Sequence, residues 1–332
     1  MQKKRLSMDE RKELLSKFLI TNKISSIGMN LIESDASFRK YYRIKGNKFL
    51  VMDAPHEKGE SVQSFKRIDK ILIGMGISAP VIYNIDEDNG YILLEDLGDE
   101  KFSQILNKQN EHKLYQIAVN VLAHIYIESK KKEFNLREIS DYSINLLIEE
   151  SNLFCDWYMQ EHCKIELTSG EKSNYQQILR KIYNQLELNS SSLVLRDYHV
   201  DNLILLKERK GINQVGVIDF QDAVIGSNAY DLVSLLEDVR RPITIELKNK
   251  LIKEYVNVTE CDLKKLIQEM KFFSIQRNLK IIGIFSRLKY RDQKPQYMKL
   301  INSSWNFINL HLKESNFIEL KSWILNYKDK FL

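Results

Sequence analysis

The spacing of apolar residues differs between the first hundred positions of this chain and the rest. In the first part, short apolar runs bounded by turn residues predict strands. The pattern Ser7-Met8-Asp9-Glu10 resembles a capping box and predicts a first helix ending near Leu19. Strands are then predicted at 24–31, 40–43, 49–53, 81–85 and 91–94, with one helix at 61–75. We therefore expect a β-rich segment up to about residue 98.

Helical periodicity dominates the remaining positions. Helices are predicted at 111–129, 139–159, 171–188, 244–257, 261–290, 297–314 and 318–329. Strand-like runs occur in this part at 193–195, 203–205 and 215–218. The pattern indicates an α+β fold with a β-rich N-terminal lobe, residues 1–98, and a mainly helical C-terminal lobe, residues 99–332. A hinge is expected at about residues 93–99.

Composition narrows the class of protein only moderately. The 332 residues are 43% hydrophobic, and a net charge of +5 is small against 50 basic and 45 acidic residues. Cys155, Cys163 and Cys261 are widely spaced and form no CxxC pair, which favours a reducing compartment and disfavours a zinc site. Because no signal peptide or membrane-length apolar run is found, we expect a cytoplasmic protein with no membrane, nucleic-acid or protein partner.

Three oxygen-bearing side chains stand next to the strand-like runs of the second part. Asp197 follows the run 193–195, Asn202 begins the run 203–205, and Asp219 ends the run 215–218. A carboxylate can accept the proton of an incoming hydroxyl, and amide and carboxylate oxygens are suitable ligands for Mg²⁺. The spacing therefore predicts phosphoryl transfer, with Asp197 as the base and with Asn202 and Asp219 as metal ligands.

The segments 195–202 and 219–221 resemble the catalytic loop and metal-binding turn of protein kinases and aminoglycoside phosphotransferase-like (choline kinase-like) small-molecule kinases. Leu195 replaces the usual His, and Gln221 replaces the usual Gly. Further motifs are similar to one branch of that family, the bacterial anomeric N-acetylmuramate/N-acetylglucosamine kinases. These motifs are 35–43, 52–55, 93–99, 218–224, 230–236 and 276–292.

The resemblance covers about residues 30–300 and implies a protein-kinase-like two-lobe fold. It also implies ATP- and Mg²⁺-dependent phosphorylation of the anomeric hydroxyl of a small-molecule amino sugar, in recycling of the cell wall. Kinases place a Lys on the third strand to hold phosphates, but Met52 occupies that region here. Arg39 and Lys40 are the candidate replacements. Glu95 and Leu97 are expected at the adenine, chiefly through their backbone groups.

Other residues receive roles that the sequence leaves open. Asp222 contacts substrate, binds a second metal or caps the next segment. Arg196 pairs with an acid or the substrate, whereas Asp231 is expected to hold the catalytic loop. Arg287 is the candidate for binding substrate, and Arg277, Lys289 and Arg291 also suit a carboxylate. Two readings remain as alternatives: a kinase of another hydroxyl acceptor (aminoglycoside, choline or homoserine), or a catalytically inactive nucleotide-binding scaffold.

Overall fold

The computed structural model describes residues 8–331 apart from 26–27, 33–37, 57–60, 135, 187 and 189. Ser7 of the first predicted helix and residues 35–37 of the 35–43 motif therefore lie outside the described residues. The chain divides into two compact units. The first contains residues up to 110 together with 201–223, and the second contains 111–200 and the residues from 224 onward. The lobe boundary expected near residue 98 stays a prediction.

The first unit is built on an antiparallel sheet in the strand order β1-β2-β3-β5-β4. Helix α1 covers this sheet because its apolar residues Leu15, Phe18 and Leu19 pack against Val51 and Tyr91 in one buried cluster. The elements are α1 Met8–Thr21, β1 Met29–Ile32, β2 Lys40–Ile44, β3 Phe49–Asp53, α2 Val62–Gly74, β4 Ile82–Asp86, β5 Tyr91–Glu95 and α3 Phe102–Ile105. The predicted α+β class and β-rich N-terminal part are confirmed.

A short hairpin of β7 Leu203–Leu205 and β8 Val215–Val217 also belongs to the first unit. Backbone hydrogen bonds attach it to segments that flank the sheet. The Val217 amide donates to the Ser78 carbonyl at 2.8 Å, and the Leu205 amide donates to the Glu100 carbonyl at 2.8 Å. The two ends of this hairpin are thereby held at fixed positions in the unit.

The second unit is mainly helical and contains one pair of short strands among its described residues. Strand β6 Ser190–Val194 pairs antiparallel with β9 Val224–Ser227. The helices are α4 Glu111–Ser129, α5 Ile144–Leu153, α6 Ser169–Gln185, α7 Ala229–Leu236, α8 Ile245–Thr259, α9 Leu263–Tyr290, α10 Ile301–His311 and α11 Ile318–Leu325. The long helix α9 is buried along most of its length, so its polar residues need partners inside the unit.

Several predicted boundaries are corrected by local hydrogen bonds. The strand predicted from residue 24 begins at 29, because the Ile24 amide instead donates to the Leu19 carbonyl and closes the end of α1. The helix predicted at 139–159 begins at Ile144, where the Ser143 hydroxyl caps it, and continues as a π-helix over Phe154–His162. The helix predicted at 171–188 begins at Ser169, because Thr168 and Glu171 form a capping box.

The last two predicted helices also differ from the structure. The segment predicted from 297 begins as a 3₁₀ turn, Pro295–Leu300, and becomes α-helical at Ile301. The final helix ends at Leu325 rather than 329. Strand β9 and helices α3 and α7 were not predicted. No helix among the described residues is long and apolar enough to cross a membrane.

Candidate active site

The segment that contains Asp197 follows β6 in the second unit and is fixed through its backbone. Asp231, in the first turn of α7, accepts hydrogen bonds from the amides of Leu195, at 2.6 Å, and Arg196, at 2.9 Å. Asp231 is buried, and burial raises the pKa of its carboxyl to about 7, so these bonds are charge-assisted when the carboxyl is ionised. Arg196 has a φ of 70°, a left-handed conformation that is uncommon for a residue with a side chain. The loop geometry is therefore imposed by its surroundings.

A buried network of charges lies next to this loop. Glu150 of α5 forms an ion pair with Arg196, and it also accepts a hydrogen bond from the Lys280 ammonium at 2.9 Å. The Tyr142 hydroxyl donates to the other Glu150 oxygen at 2.5 Å, and Lys280 lies 3.4 Å from the Tyr230 hydroxyl. One carboxylate therefore holds two cations beside the candidate base.

This network determines the protonation state of Asp197. Burial alone would raise the pKa of the Asp197 carboxyl, but the positive charges of Lys280, Arg277 and Arg196 lower it below its usual value. Lys280 remains charged despite its burial, since the negative charges nearby, including Glu150, keep its pKa raised. Asp197 is thus an ionised carboxylate at neutral pH, which is the form that a general base requires.

The residues that can hold a metal lie at one end of the β7–β8 hairpin in the first unit. Asn202 immediately precedes β7, Asp219 follows β8, and the Ile218 amide donates to the Asn202 carbonyl at 3.1 Å. The side-chain amide of Asn202 lies 3.4 Å from the Asp219 carboxylate. The other Asp219 oxygen accepts hydrogen bonds from Gln221, at 3.2 Å, and from Arg39, at 3.3 Å.

These residues fit a hard divalent cation. Asp219 has 43% of its side chain exposed, so its carboxylate is accessible, and its φ of 62° is a left-handed conformation that is uncommon for a residue with a side chain. Rotation of the Asn202 amide would present its oxygen in place of its nitrogen. The described residues include no group of three His, Cys, Asp or Glu side chains that could enclose a metal. Mg²⁺ commonly uses one or two protein ligands and completes its shell with phosphate and water.

The four predicted nucleotide-binding residues belong to the first unit but have different surroundings. Arg39 is buried and reaches Asp219, whereas Lys40 is exposed at the start of β2. Glu95 forms an ion pair with Arg209 at 2.5 Å. Leu97 is buried and packs against Gly216, where a Cβ would lie 3.0 Å from the Leu97 side chain. Of these four residues, Arg39 is the one that contacts a predicted metal ligand, Asp219.

The remaining predicted residues are less closely connected to these sites. Asp222 is exposed and accepts a hydrogen bond from Gln221 at 3.1 Å. Arg287 is half-buried near the end of α9, and burial followed by the charge of Arg291 lowers the pKa of its guanidinium. His199, which follows Asp197 in the loop, is buried, and burial also lowers the pKa of its imidazole.

Sequence reasoning missed three residues of the Asp197 environment: Glu150, Lys280 and Tyr142. They lie far from Asp197 in the sequence, and Lys280 and Glu150 are separated by 130 positions. Lys280 does stand within the predicted amphipathic helix, at a position between apolar residues. A lysine on the buried side of such a helix is a signal that it has an ionic partner inside the protein.

The five-stranded antiparallel sheet followed by a mainly helical region is the fold of the protein-kinase-like class. A sequence profile of the phosphotransferase enzyme family matches residues 28–263. The chain belongs to this family, and it is a kinase that transfers phosphate to a hydroxyl acceptor.

Characterised relatives match most of the chain. An N-acetylmuramate/N-acetylglucosamine kinase of Pseudomonas aeruginosa is 31% identical over 274 residues, covering 80% of this chain and 78% of the relative. A protein of the same name from Caulobacter vibrioides is 27% identical over 352 aligned positions, covering 96% and 97%.

Solved structures of low sequence identity share the fold. A choline kinase from Streptococcus pneumoniae superposes with a TM-score of 0.65 at 11% identity, covering 90% of this chain and 98% of that one. An ADP-bound aminoglycoside phosphotransferase gives a TM-score of 0.60 at 14% identity, covering 91% and 98%. At these identities the likeness supports the predicted kinase-like fold and leaves the acceptor open.

Proposed function

We propose that this protein is an ATP- and Mg²⁺-dependent kinase of the anomeric hydroxyl of an N-acetylated hexosamine, N-acetylmuramate or N-acetylglucosamine. Its role would be in the recycling of cell-wall amino sugars. The observation that carries the proposal is the position of Asp197, on a loop fixed by Asp231 and beside the Lys280–Glu150–Arg196 network, whose cations lower the pKa of the Asp197 carboxyl. The named relatives, which span most of both chains, support the choice of acceptor.

Asp197 would orient the sugar hydroxyl and accept its proton as the phosphoryl group is transferred. The hydroxyl oxygen forms a bond to the γ-phosphorus, the bond from that phosphorus to the bridging oxygen breaks, and ADP leaves. Because Asp197 is already ionised, it can take the proton without first losing one.

Asn202 and Asp219 would hold the metal ion, which when bound supplies charge neutralisation at the ATP phosphates. Arg39 would contribute the positive charge that the third strand lacks, with Lys40 as the exposed second candidate. Backbone groups near Glu95 and Leu97 would contact adenine, whereas Asp222 and Arg287 are the sequence-derived candidates for contacting substrate. Substituting these residues one at a time tests each assignment separately.

The acceptor can be tested with a sugar that lacks the reacting group. ADP release should be measured with N-acetylglucosamine, N-acetylmuramic acid, choline, homoserine and kanamycin, with ATP and GTP as donors. The two amino sugars should react, and the 1-O-methyl glycoside of N-acetylglucosamine should not, because its anomeric oxygen carries no proton. Phosphorus NMR should show coupling of the product phosphate to the anomeric proton.

The 1-O-methyl glycoside also provides the contrary outcome. A kinase that acts on the 6-hydroxyl would phosphorylate this glycoside readily and yield a 6-phosphate, which would reject the anomeric assignment but retain a sugar kinase. Turnover of choline, homoserine or kanamycin alone would reject the sugar altogether.

A further inference from the structure

Arg277 is a buried cation whose hydrogen-bonding capacity is not fully used. It lies on α9 in the second unit with only 4% of its surface exposed. Its Nη1 atom is buried and has no hydrogen-bond partner among the described residues. A guanidinium nitrogen that is removed from water without a partner is unfavourable, and such groups are rare unless a ligand supplies the acceptor.

The neighbouring cations differ from Arg277 because each of them has a carboxylate partner. Arg196 and Lys280 both pair with Glu150, which therefore already balances two positive charges. Lys280 lies three positions after Arg277, so the two side chains share one face of α9. The Glu150 carboxylate contacts both Lys280 and Arg196, and Arg196 directly precedes Asp197 in the chain. Arg277 therefore lies on the helix face that contacts this network, and its charge acts on Asp197.

The electrostatic effects agree with that placement. Burial is the largest influence on the pKa of Asp197 and of Asp231, and the positive charge of Arg277 opposes it at both: the pKa of Asp197 is lowered on balance, whereas that of Asp231 is raised to about 7. An anion that entered beside Arg277 would lie close to the hydroxyl that Asp197 activates. Such an anion would be either a group of the molecule that carries this hydroxyl or the phosphate that it receives, and kinetics with two acceptors separate these cases.

We propose that Arg277 binds a carboxylate of the acceptor and thereby sets the preference for an acidic amino sugar over a neutral one. This inference rests on the proposed function and concerns its specificity. A guanidinium presents paired N–H donors that match a carboxylate, and a hydrogen bond to a charged group is stronger than one between neutral groups. N-acetylmuramic acid has such a group in its lactyl ether, whereas N-acetylglucosamine has none.

The test compares both sugars in the same variants. In Arg277→Lys and Arg277→Met, kcat/KM for N-acetylmuramic acid should fall roughly 10- to 100-fold, mainly through KM, as expected for losing a charged hydrogen bond. Values for N-acetylglucosamine should stay within about threefold of wild type. The matched control is Arg180→Gln, which removes an exposed guanidinium on α6 that donates a hydrogen bond to the Asn145 side chain in the same unit. This variant should have wild-type kcat/KM values for both sugars.

The neutral sugar also reports on folding, because an unfolded variant would lose activity on both substrates. Thermal denaturation should show that Arg277→Met does not lower the midpoint, since the substitution removes a buried charge that is not fully hydrogen-bonded. An equal loss of kcat for both sugars in a folded variant would indicate a role toward the transferred phosphate and overturn the inference. Unchanged kinetics would overturn it as well.

The wild-type protein separates this inference from the proposed function. If the wild-type enzyme phosphorylates neither sugar, both the proposed function and this inference are wrong. If the wild-type enzyme phosphorylates both sugars and the Arg277 variants do not discriminate between them, only the carboxylate-binding role is wrong.

Discussion

Asp197 is a half-buried residue whose carboxyl pKa is lowered, and its surroundings explain why. Burial of a carboxylate in a medium of low polarity favours the neutral acid, and nearby cations oppose this tendency. Lys280 is the first of the cations that lower the Asp197 pKa, and Glu150 keeps Lys280 in place at 2.9 Å. Lys280 therefore acts on the base electrostatically, as a positioning residue.

Removing the Lys280 charge should shift the pH dependence of catalysis. Asp197 has a lowered pKa in the native protein, so Lys280→Met should raise that pKa, and the acidic limb of kcat/KM should move to higher pH. The control is Lys271→Met, which removes a lysine of the same helix that pairs with Glu314 at 2.8 Å. Its profile should match that of wild type.

Asp197→Asn provides the reference for this experiment. It should lower turnover by roughly 10²- to 10⁴-fold, the usual contribution of general acid–base catalysis, and leave ATP binding intact. It should also abolish any acidic limb that belongs to Asp197. If the limb stays where it is in Lys280→Met while the variant remains folded, the electrostatic role of Lys280 is wrong.

At this scale the sequence identifies the residues that stand close together along the chain in a characteristic order. Asp197, Asn202 and Asp219 stand within a short segment next to strands, so their order alone indicates phosphoryl transfer. Glu150 and Lys280 reach Arg196 from other helices, and a single sequence contains no signal of such distant pairing. Arg39 meets Asp219 across 180 positions, yet it was identified because a missing lysine required another cation.

Among the elements, the long amphipathic helices were predicted and the wholly buried short ones were not. Helix α4 has the predicted bounds, 111–129. Helix α7 has eight residues, all of them buried, and is shorter than the window of about 11–18 residues over which periodicity identifies a helix. Strand β9 is four residues long and contains Gly226, whose Cβ would lie 3.1 Å from Tyr142. Hydrophobic periodicity does not identify short, closely packed elements such as these.

Helix α9 shows how a glycine permits two elements to approach closely. A Cβ on Gly283 would lie 2.3 Å from the Leu153 carbonyl carbon, at the end of α5. Since that atom belongs to the backbone, it cannot rotate away as a flexible side chain would. Gly283 therefore allows α9, which contains Arg277 and Lys280, to pack directly against the helix that supplies Glu150.

Gly283→Ala should destabilise the protein by about 1–3 kcal/mol or more, the range for forcing an extra methyl group into a packed interior. The control is Gly170→Ala in the first turn of α6, where the nearest atom to the added Cβ is the Thr168 hydroxyl at 3.9 Å. This change should be neutral or stabilise by up to about 1 kcal/mol. Denaturant unfolding measures both, and equal midpoints for the two variants would contradict the packing argument.

For the whole molecule, the sequence predicted the class of fold and the type of chemistry better than the grouping of residues. The catalytic segment and the metal-ligand candidates are nearly contiguous in the chain, yet Asp197 belongs to the second unit, whereas Asn202 and Asp219 belong to the first. The hairpin of residues 203–217 joins the first unit through backbone bonds to Ser78 and Glu100. Hydrophobic patterns identify strands but do not identify the segments with which a hairpin will pair.

The metal-ligand candidates of the first unit lead to a prediction about the linkage between metal binding and nucleotide binding. If Asp219 and Asn202 hold Mg²⁺ together with the nucleotide phosphates, metal and nucleotide should bind with linked affinities. In wild type, Mg²⁺ should strengthen ATP binding measured by calorimetry. In Asp219→Ala this enhancement should be lost, because the accessible carboxylate next to Asn202 is removed. Asp88→Ala, which removes an exposed carboxylate from the β4–β5 turn, should keep the wild-type enhancement. Asp197→Asn should keep it too, because the base acts on the acceptor. A metal effect that persists unchanged in Asp219→Ala would rule out this carboxylate as the ligand, whereas its loss in all three variants would indicate a general effect of charge.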